Sequence, residues 1–317
     1  MDSADLKEAI QLLKSNYIKP EALNETELNR ATFEGILTRL GRGVVLLPDS
    51  AAEAAAGPAA PFFGEILEGH IGYLRFGALT RPNLDALDAN LKTFAAKKVD
   101  ALVIDLRAST ATNDFATASE FAKRFCPKGK PLFSLRKTTA KQERAFTSDR
   151  DPSYEGLTIL LADGDTAGAA EAIAGAIHLY LKALIIGQPT AGRAVEYSDL
   201  KLPSGKVLRV AVGEAVLPED RPLFPGGLKP DVAVEMPAAD KREVFQQSRE
   251  KGMTLFVVEN ERPHLNEAAL ISGKNPELEA MEAAQKRGRG PEKTTVRDAV
   301  LQRALDLVTS IAIFQKR

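Results

Sequence analysis

The sequence has no tryptophan, one cysteine and three histidines in 317 residues. A single cysteine, Cys126, excludes an intramolecular disulfide and any multi-cysteine metal site. His70, His178 and His264 lie far apart and form no HExxH-type spacing, so no metal site is indicated. Aromatic residues make up only 6% of the chain, which weakens any case for a base-stacking surface. Charge of either sign is not in excess: the formal net charge of -1 favours neither nucleic acid nor an anionic membrane surface as a partner. No apolar run approaches the ~18 residues that cross a bilayer. The acidic start, Met-Asp-Ser-Ala-Asp, is not a signal-peptide pattern.

What is present is an ordinary globular composition, 44% hydrophobic and 27% charged, long enough for a sizeable core. Helical spacing of Leu6, Ile10, Leu13 and Tyr17 predicts a helix over 4–18, and Leu28, Phe33, Ile36, Leu37 and Leu40 predict a second over 25–40. Together they make an N-terminal helical segment, 1–48. The alanine- and proline-rich stretch 49–61 reads as a linker with no core of its own. From 62 to 237 strand and helix signals alternate. Strands are expected at Ile71–Phe76, Ala101–Leu106, Leu157–Ala162 and Ala183–Ile186, with helices at 83–97, 115–125 and 167–182. Continuous apolar strands between helices point to an α/β core around a largely parallel sheet. Leu200–Leu202 and Val207–Val212 flank Pro203-Ser204-Gly205 as a hairpin, and 218–230, rich in Pro and Gly, is expected to be irregular before a short strand at 231–234. The region 238–317 has helical spacing at 239–251, 276–287 and 293–313, with a basic glycine-rich run at 286–290.

Several residues carry chemistry on paper and have a plainer reading. Cys126, before Pro127, reads as a small core residue at a helix end. Thr166 has a hydroxyl where a helix begins, and its plain role is the N-cap. Asp163-Gly164-Asp165 lacks the remaining ligands of a calcium loop and fits a turn before a helix. His178 reads as a partly exposed helix residue. Ser109 and Thr110 have no identifiable base.

Five separated pieces, in order, resemble the core of the C-terminal processing (tail-specific) proteases, peptidase family S41. They are Gly72–Phe76, Asp105-Leu106-Arg107, the segment Ala162–Ile177, Gly187-Gln188-Pro189-Thr190-Ala191-Gly192-Arg193, and Gly226-Gly227-Leu228-Lys229-Pro230-Asp231-Val232. The resemblance implies a ClpP/crotonase-like α/β core, with an N-terminal helical hairpin and a helical C-terminal extension, and an ancestor that used a serine nucleophile and a lysine base. It places the nucleophile three residues before Glu171, at Gly168. The lysine falls at Arg193 and its assisting glutamine at Tyr197.

Those replacements change the chemistry. Glycine has no side chain to attack a carbonyl. A guanidinium, with pKa above ~12, stays charged and cannot take a proton from serine. After Asp-Leu-Arg the family pattern has glycines that present an amide to the developing oxyanion. Here that stretch is Ser109-Thr110-Ala111-Thr112-Asn113. The PDZ-like module that the resemblance places between the helical start and the core is replaced by the 49–61 linker.

The sequence therefore points to an inactive S41-type homologue that binds a protein or peptide or serves as a scaffold. Its expected cleft comprises Ser109, Thr110, Ala111, Thr112, Asn113, Thr166, Gly168, Glu171 and Arg193. Pairing of Glu171 with Arg193 would be an inert substitute for the reactive pair. The alternative is an active serine-type peptidase or acyl hydrolase of the same fold with a displaced nucleophile, Thr166 being the fallback. No metal or cofactor is implied, a homo-oligomer is left open, and family resemblance favours the periplasm or cell envelope.

Overall fold

The computed structural model describes residues 2–48, 60–109, 113–137, 139–257 and 296–315. Residues 49–59 of the predicted 49–61 linker, the predicted helix over 276–287 and the basic run 286–290 lie outside the described residues. In chain order the elements are α1 (Ser3–Asn16), α2 (Glu25–Leu40), β1 (Val44–Leu47), β2 (Phe63–Leu67), β3 (Ile71–Arg75), α3 (Arg81–Ala96), β4 (Ala101–Asp105), α4 (Phe115–Ala122), β5 (Pro131–Lys137), β6 (Gln142–Thr147), β7 (Leu157–Ala162), α5 (Ala169–Leu181), β8 (Leu184–Gly187), β9 (Val195–Lys201), β10 (Val207–Leu217), β11 (Arg221–Pro222), β12 (Val232–Ala233), α6 (Ala238–Lys251) and α7 (Ala299–Gln315). They fall into two compact units, Met1–Gly57 with Glu196–Gly213 and Pro58–Val195 with Glu214–Arg317.

The smaller unit begins with a reciprocal cap. The Asp2 carboxylate accepts the amides of Ala4 and Asp5, and the Asp5 carboxylate accepts the amide of Asp2. Asn24 caps α2 by accepting from the amide of Glu27. Strand β1, absent from the sequence reading, pairs antiparallel with the first part of β10, Val44 opposite Val210 and Leu47 opposite Val207. Its four residues are too few to show alternation.

The larger unit is organised by one sheet of order β12-β8-β7-β4-β3-β2. β3, β4, β7, β8 and β12 run parallel, and β2 closes one edge antiparallel. The side-chain period of two sends alternate residues of each strand to opposite faces. Leu74, Leu102, Ile104 and Leu160 pack into one cluster with Leu84, Leu87, Phe94, Phe121 and the alanines of α5. Ile71, Tyr73, Val103, Ile159 and Leu161 pack into another with Val244, Phe256, Val300, Leu301 and Leu305. Both faces are covered, which is why these strands are continuous apolar runs. Full burial of each such large side chain contributes about 1.5–3 kcal/mol. Glycine is required at 72, where a Cβ would stand 2.6 Å from the Phe94 ring.

An antiparallel ladder lies beside this layer. β5 pairs with β6 and with the later part of β10, Ala215 opposite Leu135, while β11 pairs with the end of β10. Nothing in the sequence pattern marked β2, β5 or β6: β6 exposes all its residues but Phe146, so its apolar signal is one side chain.

Candidate active-site region

The Asp-Leu-Arg motif closes β4 with a buried ion network. Arg107 donates through Nε to Asp105 Oδ1 at 3.0 Å and through an η nitrogen to Asp105 Oδ2 at 2.7 Å. The same guanidinium forks onto Asp298, at 3.0 and 2.7 Å. The Tyr73 hydroxyl donates to Asp105 at 2.7 Å. All four groups are buried. Burial alone would raise the Asp105 carboxyl, but the charge and hydrogen bonds of Arg107 outweigh it and hold Asp105 below the usual carboxylate range. Burial, reinforced by Asp105, pushes the Tyr73 phenol well up. Asp298 also accepts the amide of Leu301 at 2.9 Å, so the network fastens the start of α7 to the sheet. Arg107 is thus structural. Asp298 was not foreseen, although an aspartate just ahead of an apolar helix is the usual cap signal.

β7 leads through Asp163–Ala167 into α5. Asp163 and Asp165 hold the buried ammonium of Lys241 on α6, at 2.5 and 2.6 Å. The aspartates are therefore committed to a side chain of the chain itself, a contact with no sequence signal because it spans more than seventy residues. The Thr166 hydroxyl donates to the Leu106 carbonyl and accepts the Asp163 amide, both at 3.2 Å. It does not cap α5. The N-cap is Gly168, at φ 64° and ψ −130°, and the helix starts at Ala169. This corrects the expected start at Ala167. A backbone at positive φ cannot continue a helix, and only glycine adopts it without strain.

Glu171, one turn into α5, is fully buried and accepts four hydrogen bonds. The Thr190 hydroxyl and the Gly192 amide donate to Oε1 at 2.6 and 2.7 Å. The Arg193 and Gly168 amides donate to Oε2 at 2.8 and 3.1 Å. Burial raises its carboxyl above the ordinary value even against these bonds. Thr190 in turn accepts the Leu228 amide at 2.8 Å, tying in the Gly226–Asp231 stretch. One carboxylate therefore joins three of the five sequence pieces.

The predicted site residues are distributed as follows. Gly168, Glu171 and the backbone of Arg193 converge. The Arg193 guanidinium is exposed and makes no ion pair with Glu171, contrary to the pairing envisaged. Arg193 meets Glu171 through its amide, which with the amides of Gly168 and Gly192 and the Thr190 hydroxyl fills both carboxylate oxygens. Ser109 is buried beside the turn: its amide and the Thr166 hydroxyl donate to the same Leu106 carbonyl. Its own hydroxyl is buried with no hydrogen-bond partner. Asn113 is exposed, and Thr110, Ala111 and Thr112 lie outside the described residues. Tyr197 belongs to the smaller unit, where its hydroxyl donates to the Arg42 carbonyl at 2.8 Å. Among the described residues no group of three or more His, Cys, Asp or Glu is arranged to hold a metal, and no helix is long and apolar enough to cross a membrane.

Comparison with known proteins agrees with this geometry. Carboxyl-terminal-processing peptidase 1 of Arabidopsis thaliana chloroplasts is 28% identical over 58% of this chain and 38% of its own length. The carboxy-terminal processing protease CtpA of Bacillus subtilis is 21% identical over 74% of this chain and 46% of its own. The chain thus matches less than half the length of either relative. A solved candidate peptidase from Parabacteroides merdae shares the fold, with a TM-score of 0.55 at 16% identity, covering 77% of this chain and 85% of that one. The sequence model of peptidase family S41 matches residues 70–234, the sheet, the elbow at Gly168 and the loop to Asp231 included. A match over more than half of the chain, carried by the segments that Glu171 holds together, makes this protein a member of peptidase family S41.

Proposed function

We propose that this S41 member has lost serine–lysine proteolysis and acts by binding a peptide or protein in the region where its relatives cut one. The observation that carries the reading is Gly168. It occupies a sharp strand-to-helix turn, with φ 64° and ψ −130°, of the kind that presents a nucleophile above a sheet, and it has no side chain to present. The turn is held by Glu171, so the scaffold for catalysis is kept while the reacting atom is missing. At 193 a permanently charged guanidinium stands where the motif has a proton acceptor. The Thr166 hydroxyl, the fallback nucleophile, is buried and committed to the Leu106 carbonyl.

A serine-directed fluorophosphonate tests this. Intact-mass measurement after prolonged exposure is expected to show no adduct. A stoichiometric adduct mapping to Thr166 or Ser109 would establish a displaced nucleophile and sink the proposal. Localisation in the cell envelope and binding in place of cutting are parts of the same proposal, supported by the resemblance and by the short 49–61 stretch standing where a PDZ-like module is expected.

A further inference from the structure

Among the described residues, every exposed large hydrophobic side chain except Leu255 lies in the smaller unit. The described residues of that unit include a single buried side chain, Val207. No described residue of α1 or α2 is buried, and the two helices meet at the short turn Pro20–Leu23 rather than along their lengths. Helices of 14 and 16 residues are marginal in water on their own and draw their stability from an apolar face that something else covers. In α1 that face is open: Leu6 and Leu13 are each 49% exposed and Tyr17 is 47% exposed. Two features of α1 indicate its cover. Leu6, Ile10, Leu13 and Tyr17 follow one another at intervals of 4, 3 and 4 residues, so the stripe reads the same in both directions. A contact across a two-fold axis is self-complementary in this way, residue i meeting j and j meeting i. The charges share that symmetry. Asp2, Asp5 and Glu8 lie at the start and Lys14 and Lys19 at the end, with Lys7 the exception. Antiparallel copies set each acidic start beside a basic end, whereas parallel copies set like beside like.

We propose that the apolar face of α1 is a homodimer contact, packed antiparallel across a two-fold axis against α1 of a second copy of this chain. In that register Leu6 meets Tyr17 of the second copy and Ile10 meets Leu13, each pair occurring twice. Glu8 then falls one position from Lys14 of the second copy. The acidic start suits the positive end of the helix dipole as well, so the charges alone would not require a partner. The palindromic stripe beside them is what selects a second copy. An anionic membrane surface fits the face less well, because it draws helices with a cationic polar face, and α1 balances Lys7 and Lys14 with Asp5 and Glu8. The proposal does not depend on whether the turn at Gly168 binds or cuts a peptide.

The test is sedimentation velocity of the full chain over a rising concentration series. A species of twice the 34.2 kDa chain mass is expected to form and to dissociate on dilution. Leu13→Glu places a charge in the seam and is expected to leave the monomer at every concentration. Leu13 is half exposed and lies outside the larger unit, so the main thermal transition of this variant is expected to match that of the parent, which separates lost pairing from lost folding. Glu8→Lys and Lys14→Glu each set like charges together twice per dimer, and each is expected to weaken dimerisation by about tenfold. The double variant carrying both changes restores opposite charges and is expected to return to within about threefold of the parent. A monomer at every concentration, a dimer that Leu13→Glu leaves intact, indifference to the single charge changes, or a double variant no tighter than the single ones would each overturn the proposal. Cosedimentation of the monomer with vesicles of phosphatidylglycerol and phosphatidylcholine, lost in Leu13→Glu, would assign the face to a membrane and overturn it as well.

Discussion

The Glu171 carboxylate receives its hydrogen bond from the backbone amide of Arg193, 2.8 Å away, and leaves the guanidinium of the same residue exposed. The two residues expected to form an ion pair are thus joined through the main chain. The carboxylate fixes the position of the loop through amide and hydroxyl donors and makes no ion pair with Arg193.

Gly168 sits where a side chain is strained. At φ 64° and ψ −130° a substituted residue costs about 1–3 kcal/mol. Gly168→Ala is therefore expected to lower the unfolding free energy by that amount in urea titration. Gly164→Ala, four residues earlier, has open space around its Cβ and is expected to shift it by less than about 0.5 kcal/mol. Equal effects at the two positions would show that the elbow conformation is not what selects glycine.

Each oxygen of Glu171 takes two donors, so Glu171→Gln replaces one of them with an amide NH2, a donor facing two N–H or O–H groups. The expected cost is about 2–4 kcal/mol. The pH dependence has a definite sign. Burial raises the folded carboxyl above its value of 4.5, so between that value and the raised one the folded state binds more protons than the unfolded. On account of this group, stability rises as pH falls through that window and levels off below 4.5. The difference in unfolding free energy between parent and Glu171→Gln, followed from pH 7 downward, is expected to carry that slope.

Asp298 holds half of the Arg107 fork and the first turn of α7. Asp298→Ala leaves a buried guanidinium half paired, at a cost of about 3–5 kcal/mol. Hydrogen exchange is expected to speed up first along Val300–Val308. Asp105 adds an acid limb of opposite sign to that of Glu171. Its carboxyl is held low by Arg107, so its contribution is complete above the ordinary aspartate value of ~3.9 and is lost as pH falls below it.

Cys126 is buried, and burial pushes its thiol up to about 12. It is expected to resist alkylation at pH 8 in the native protein and to react fully in denaturant.

How much of this was legible depended on the reach of the interaction. The strands of the parallel sheet were readable because both faces are covered and the apolar runs are continuous, as in Ala101–Asp105. The α7 pattern from Val300 to Val308 was readable from its helical spacing, because Val300, Leu301, Ala304, Leu305 and Val308 are buried while Arg303 between them is exposed. β5 and β6 were not, because Arg136, Lys137, Glu143 and Arg144 interrupt their alternation at the surface. At the site, the order of motif pieces located Gly168 and Arg193. The helix start was misplaced because Thr166 is a good cap by type, and its hydroxyl is instead drawn to Leu106, sixty residues away. Lys241 and Asp298 complete ion pairs across 76 to 191 residues of sequence, a distance over which spacing carries no information.

The central claim is that the elbow survives without its chemistry, and cleavage of an unfolded protein tests it most directly. Reduced, carboxymethylated casein incubated with this chain, beside an active S41 relative, is expected to remain intact by mass spectrometry while the relative degrades it. Reproducible cleavage products that vanish in Thr166→Ala or Ser109→Ala would contradict the account.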